Sequence, residues 1–335
     1  MQSALHKVVG PDEVQPQNLS GRVAVVIGGA LGIGYEVSAA LARAGCKVIM
    51  VNRSQDQGDA AIAEIQKQSK GEADIDWKEC DLGNLAEVRA VFGRLRKSLE
   101  RLDYLVLSAG INANQYALDH DGIERIFAVN YLGQVYAVNQ LWAALRKTSL
   151  MPGVTAPRVV AVSSVMHQHA PSNVRFASLD EINDKNLSPA ELYARSKLAQ
   201  ILFVRFGLVK RVIKPTSDSI YALAVHPGTV NTAMQEQWKD AYPGVTGQLI
   251  AAAMKTVGRD PEQGSYSTLW ALTAPDVEQK NQNGAYFTDP GQRGSESAQA
   301  SDERLGAALW ELSEKLIKEK LGDDALESWR NTDFV

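Results

Sequence analysis

Val23-Ala24-Val25-Val26-Ile27 runs directly into Gly28-Gly29-Ala30-Leu31-Gly32-Ile33-Gly34, and Tyr35 to Arg43 follows with helix-forming residues. Five apolar, mostly β-branched residues read as a strand buried on both faces. Glycines at 28, 32 and 34 let the chain turn tightly and bring its backbone close to a ligand, which a Cβ would obstruct. The helix beyond them offers free N–H groups and the positive end of its dipole to an anion, most often a phosphate. Strand, glycines and helix in that order are the context in which a glycine cluster reads as a dinucleotide fingerprint.

The rest of the chain repeats the alternation. Strands are expected at 47–51, 74–79, 102–110, 158–165, 218–225 and 284–288. Helices are expected at 56–69, 84–99, 121–147, 188–212, 262–274 and 302–320, the last capped by Ser301. Strands alternating with helices predict an α/β fold: one doubly wound parallel sheet of about seven strands with helices on both faces. The second strand closes on Asn52-Arg53-Ser54. An NAD-type site places a carboxylate here for the ribose 2′-OH. Neutral Asn52 beside Arg53 instead suits a 2′-phosphate, so the expected cofactor is NADP(H).

Composition narrows the class. Of 335 residues, 45% are apolar and 22% charged, as in ordinary soluble proteins. A net charge of −4 argues against nucleic acid or an anionic membrane as the main partner. No apolar run approaches the roughly 18 residues of a membrane span, and Met1 to Gln17 lacks the apolar core of a signal peptide. Cys46 and Cys80 are expected as reduced core residues. His167 and His169 lack a third partner, so no metal site is expected. The localisation these features predict is cytoplasmic.

Tyr193-Ala194-Arg195-Ser196-Lys197 carries the chemistry. Residues four apart share a helix face, so the phenol and the ammonium converge. The cation is expected to pull the phenol's pKa down from about 10 towards neutrality and make it a general acid/base.

The glycine spacing, Asn130 within the 121–147 helix, Ser163-Ser164 ending a strand, and Tyr193 with Lys197 together resemble the short-chain dehydrogenase/reductase family, over roughly residues 20–290. Ile27 and Ser108 stand where that family usually has Thr and Asn. The resemblance implies a Rossmann fold and a catalytic set of Ser164, Tyr193 and Lys197, with Asn130 bending its helix and holding a water in a proton relay. Ser163 competes with Ser164 as the donor, because strand alternation aims only one of the pair at the ligand. The resemblance further implies cofactor contacts from Gly28, Gly32, Ile33 and Gly34. Asp81 and Leu82 would meet the adenine, and Ala109 and Gly110 would leave room for its ribose. Asn130, Tyr193 and Lys197 would approach the nicotinamide end. Pro227, Gly228 and Val230 would meet the carboxamide, and Thr232 the pyrophosphate. The long 165–192 insertion, beginning Ser-Ser-Val-x-His, is similar to the retinol-dehydrogenase-like and fungal branches, many of whose members act in lipid or secondary metabolism.

The expected organisation is a leader at 1–20, a Rossmann domain at 21–295 with a substrate lid at about 231–260, and a helical extension at 296–335. Met234, Trp238, Tyr242 and Ile250 in the lid suggest a small lipophilic or aromatic ketone, aldehyde or alcohol as substrate. Two other functions fit less of the sequence. One is an NADPH-binding regulatory protein, which need not keep a proton relay; the other is a reductase coupled to cyclisation or isomerisation. Family members pair through helices corresponding to 121–147 and 188–212, implying a homodimer or homotetramer unless the C-terminal helix covers that face.

Overall fold

The computed structural model describes residues 10–113, 115–230 and 258–330. Its frame is one sheet ordered β3-β2-β1-β4-β5-β6-β7-β8. The strands are β1 (Val23–Ile27), β2 (Lys47–Asn52), β3 (Ile75–Glu79), β4 (Tyr104–Leu107), β5 (Arg158–Val162), β6 (Tyr221–Val225), β7 (Tyr286–Asp289) and β8 (Gln292–Arg293). All neighbours are parallel except β7 and β8. The eighth strand exceeds the seven expected. It is two exposed residues long, too short for any periodic signal.

Alternation along each central strand builds a core on each face of the sheet. Val25, Ile27, Leu105, Leu107, Val159 and Ala161 point to one face. There they meet α3 (Leu85–Ser98), α4 (Gly133–Ser149) and α5 (Pro189–Leu202). Ala24, Val26, Val106, Val160 and Val162 point to the other. That face is covered by α1 (Gly32–Arg43), α2 (Gln55–Gln68) and α6 (Pro261–Thr273). A last helix, α7 (Glu303–Leu321), packs outside α5. Cys46 and Cys80 are free and buried, as expected.

β4, β5 and β6 are shorter than the expected 102–110, 158–165 and 218–225, and the helices differ from the sequence reading in three places. The helix expected at 121–147 is a turn at Arg125–Phe127, a π-helical turn at Ala128–Leu132 and then α4. The wider winding lets the Asn130 side chain leave the helix and bond Ile111. Gly133 next to it abuts the Leu82 carbonyl, where a Cβ would lie 2.3 Å from the oxygen. The helix expected at 188–212 continues past Leu202 as a π-helix over Phe203–Ile213. The cap of α7 is Asp302, not Ser301, because its carboxylate accepts from the Arg304 and Leu305 amides.

Candidate active site

The glycine loop is built backbone against backbone. Gly28 has φ +82°, and a Cβ there would stand 2.6 Å from Ala109 N and Cα at the end of β4. A Cβ on Gly34 would stand 2.0 Å from the Gly28 carbonyl oxygen. Gly32 also has positive φ, +55°. Ser38 fixes the turn by donating to the carbonyls of Gly29 (3.1 Å) and Gly34 (2.9 Å). Leu31, at the cap position of α1, gives its first amides no side-chain acceptor. Gly264 of α6 approaches Ile33 and Val230 so closely that a Cβ would lie 3.2 and 2.6 Å from them. The loop and the β6 segment are thereby drawn together.

Around this loop stand most of the other expected cofactor residues. Arg53 is exposed and forms no hydrogen bond or ion pair with the described residues. Asn52 donates to the Ser54 carbonyl at 2.7 Å, leaving its own buried Oδ1 without a partner. Asp81 uses one carboxylate oxygen on the Gly83 amide at 2.9 Å. Leu82 is buried, while Ala109 and Gly110 are half-buried. Pro227 accepts from Arg259 at 3.3 Å, and Gly228 takes φ +84° against the same guanidinium. Thr232 and the lid residues Met234, Trp238, Tyr242 and Ile250 lie outside the described residues. A loop with no room for Cβ atoms, a helix start without a cap and an orphaned polar atom at the end of β2 fit a dinucleotide.

At the end of β5 the two serines separate. Ser163 is buried and donates to the Lys197 main-chain carbonyl at 2.8 Å, fastening β5 to α5. Ser164 caps the 3₁₀ turn Val165–His169 and is hydrogen-bonded to the Tyr193 side chain. Lys197 Nζ donates to the Val162 carbonyl at 2.8 Å and to Gln200 Oε1 at 3.3 Å, and it lies 5.4 Å from the centre of the Tyr193 ring. A full capping box, Ser188 with Glu191, starts α5 and sets the phase that brings Tyr193 and Lys197 to one face.

The electrostatics differ from expectation. Burial pushes the Tyr193 phenol up to about 12, against the opposing effect of the Ser164 hydrogen bond. The same burial lowers Lys197 to about 7. The expected depression of the phenol is absent because desolvation disfavours the charged form of both groups.

Asn130 is fully buried. Its Oδ1 accepts from Ile111 N at 2.7 Å, and its Nδ2 donates to Ile111 O at 3.0 Å and Ser196 Oγ at 3.1 Å. Its main-chain carbonyl accepts from Gln134 at 2.8 Å and Gln200 at 2.9 Å.

Sequence reasoning overlooked both glutamines and gave His167 no role. Gln200 could have been found from its i, i+3 spacing to Lys197. His167 is a tether: Nδ1 lies 2.7 Å from the Ser164 carbonyl, and Nε2 accepts from Ser297 N at 3.2 Å. No group of His, Cys, Asp and Glu among the described residues could hold a metal ion.

The family model for short chain dehydrogenases matches residues 22–177. The short chain dehydrogenase/reductase dpchH of Colletotrichum higginsianum is 30% identical over 329 residues, covering 94% of this chain and 79% of that one. Polyprenol dehydrogenase of Danio rerio is 31% identical over 299 residues, covering 89% and 87%. A crystal structure of a Mycobacterium paratuberculosis protein superposes with a TM-score of 0.65 at 27% identity, covering 90% of this chain and 94% of that one. No helix among the described residues is long and apolar enough to cross a membrane. The chain belongs to the short-chain dehydrogenase/reductase family, oxidoreductases that bind a nicotinamide cofactor and act between alcohol and carbonyl groups.

Proposed function

We propose that the protein is an NADP(H)-dependent oxidoreductase that reduces a lipophilic or aromatic ketone or aldehyde. The observation that carries the reading is the meeting of Ser164, Tyr193 and Lys197 at the end of β5, in the parallel sheet whose β1 ends in the glycine loop. Bound nicotinamide supplies the hydride. Ser164 donates its hydroxyl hydrogen to the substrate carbonyl oxygen, where negative charge grows. Tyr193, held as a neutral phenol by burial, gives its proton to that oxygen. The Lys197 ammonium then favours the phenolate left behind. Asn130 acts by position, tying the end of β4 to the helix that carries Tyr193. A protein that only sensed NADPH would have no use for this proton donor.

Arg53 supports NADP(H) over NAD(H), being a free guanidinium where a 2′-phosphate would sit. An apolar wall supports a lipophilic substrate: Ile111, Tyr116, Ile126, Met166, Leu187 and Leu192 pack around Tyr193. The name of the zebrafish relative, polyprenol dehydrogenase, points the same way. The buried free thiols suit a reducing compartment such as the cytoplasm. A Neurospora crassa oxidoreductase, bli-4, 31% identical over 309 residues, carries "mitochondrial" in its name, so imaging of the tagged full chain decides between the two.

Calorimetry with NADPH and NADH on wild type and Arg53→Ala tests the cofactor. NADPH should bind at least about tenfold tighter, roughly 1.4 kcal/mol, with most of that gap lost in the variant. Binding of neither nucleotide overturns the reading.

A further inference from the structure

Gln200 lies one turn beyond Lys197 on α5 and is 3% exposed. Its amide faces two partners of opposite character. Oε1 accepts from Lys197 Nζ at 3.3 Å, while Nε2 donates to the Asn130 carbonyl at 2.9 Å. That carbonyl also accepts Gln134 Nε2 at 2.8 Å, so two side-chain amides use its two lone pairs. The amide cannot turn over without setting its NH₂ against an ammonium and its oxygen against a carbonyl.

We propose that Gln200 is a positioning residue for Lys197: its amide spans the gap from the ammonium to the carbonyl of Asn130, holding the cation in place. The proposal rests on the reading of Lys197 given above. An ammonium has three N–H groups. Val162 O and Gln200 Oε1 take two, which leaves one for a ligand and fixes its direction. A carboxamide neither takes up nor releases a proton near neutral pH. It therefore supports the charge without passing a proton on towards Asn130.

The surroundings make this contact count. β5 contributes Val162 O and the Ser163 hydroxyl, the π-helical turn contributes Asn130, and α5 contributes Tyr193 and Ser196. Tyr193 is the titratable group among them. Burial alone shifts Lys197 among the described residues, with no carboxylate acting on it. With burial holding Lys197 at about 7, one hydrogen bond to the ammonium decides how much of it is charged at neutrality.

The test is a ¹³C-lysine NMR titration of the nucleotide-free protein. The Lys197 resonance is assigned by its loss in Lys197→Met. Gln200→Leu removes the acceptor and should lower the Lys197 midpoint by about half a pH unit or more. Gln200→Glu supplies a carboxylate and should raise it by about one unit or more. Gln200→Asn falls short of Nζ and should resemble Gln200→Leu. If Gln200→Leu fails to fold, the opposite shift in Gln200→Glu still decides the matter. A midpoint unmoved in folded variants, or moved the same way by Leu and Glu, overturns the proposal. NADPH binding by wild type is measured separately by fluorescence. Its failure would overturn the cofactor reading and leave the lysine titration intact.

Discussion

Ser163 and Ser164 are neighbours with opposite destinations, and the strand's alternation is what parts them. Ser163 turns inward to the Lys197 carbonyl, and Ser164 turns to Tyr193. Ser164→Ala should therefore lower kcat by about 10²–10³-fold with NADPH affinity retained, as for loss of one donor to a developing oxyanion. Ser163→Ala should cost about 1 kcal/mol of stability and leave kcat near wild type. Steady-state kinetics with thermal melts on both variants check the pair, and a reversed result would exchange their roles. Lys197 carries a cost of its own. Its folded pKa, about 7, lies below the unfolded value near 10.4. The unfolded chain thus binds more protons between those values, and stability rises with pH across that window. Below it, folding must bury an ammonium at full cost. Lys197→Met should melt higher than wild type at pH 6, with the gap closing towards pH 10. That outcome would mark the lysine as kept for function at the expense of stability.

The elements divide into those announced by local sequence and those decided by packing. The Val23–Ile27 strand, its glycine loop and α1 were legible because their residues tolerate no other arrangement: a Cβ at Gly28 or Gly34 strikes backbone. The Tyr193–Lys197 face was legible from helical spacing alone. The broken helix at Arg125–Leu132 was not legible from periodicity, and only the family resemblance implied a bend at Asn130, since its cause is a bond to a residue nineteen positions away. The phenol's raised pKa was also hidden, because burial is a property of the assembled layers. The 3₁₀ turn Val165–His169 is a further case. Its sequence shows two histidines, but the fold makes His167 a clamp from the Ser164 carbonyl to the Ser297 amide. Burial lowers the His167 pKa, with Glu296 opposing and His169 assisting. A depressed folded pKa means the unfolded chain takes up the proton first, so this clamp stabilises at neutral pH and is lost as pH falls below about 6.5. Protonation would set N–H against N–H at Ser297. His167→Phe should remove that part of the acid destabilisation, so wild type and variant curves of melting temperature against pH should converge below pH 6. Parallel curves would sink the idea.

At the scale of the whole molecule, the C-terminal segment closes the face through which relatives were expected to pair. Tyr131 bonds Ser313, Tyr136 bonds the Ala325 carbonyl, and Asn139 exchanges two bonds with Glu327. Trp329 stacks edge-on against Trp142 at 5.8 Å, and Arg89 and Arg96 pair with Asp324 and Glu327. The outer face of α4 is thus covered by this chain's own residues. Two glycines set how closely α7 docks. A Cβ on Gly207 would stand 2.7 Å from the Trp310 ring, and one on Gly306 would stand 2.6 Å from Phe206. Gly306→Val forces β-branched bulk into the second crossing, where overpacking costs about 1–3 kcal/mol. The helix should lift from α5 and the π-helix that continues it before the sheet unfolds, because it packs on helices and not on the strands. Hydrogen exchange should accelerate in α7 and on the outer face of α4 while β1, β4 and β5 stay protected. The exposed apolar face should then drive self-association, read by sedimentation velocity. Uniform loss of protection across the sheet would mean that the C-terminal helix is part of a single cooperative unit, and a wild-type chain that already pairs through α4 would contradict the covered face directly.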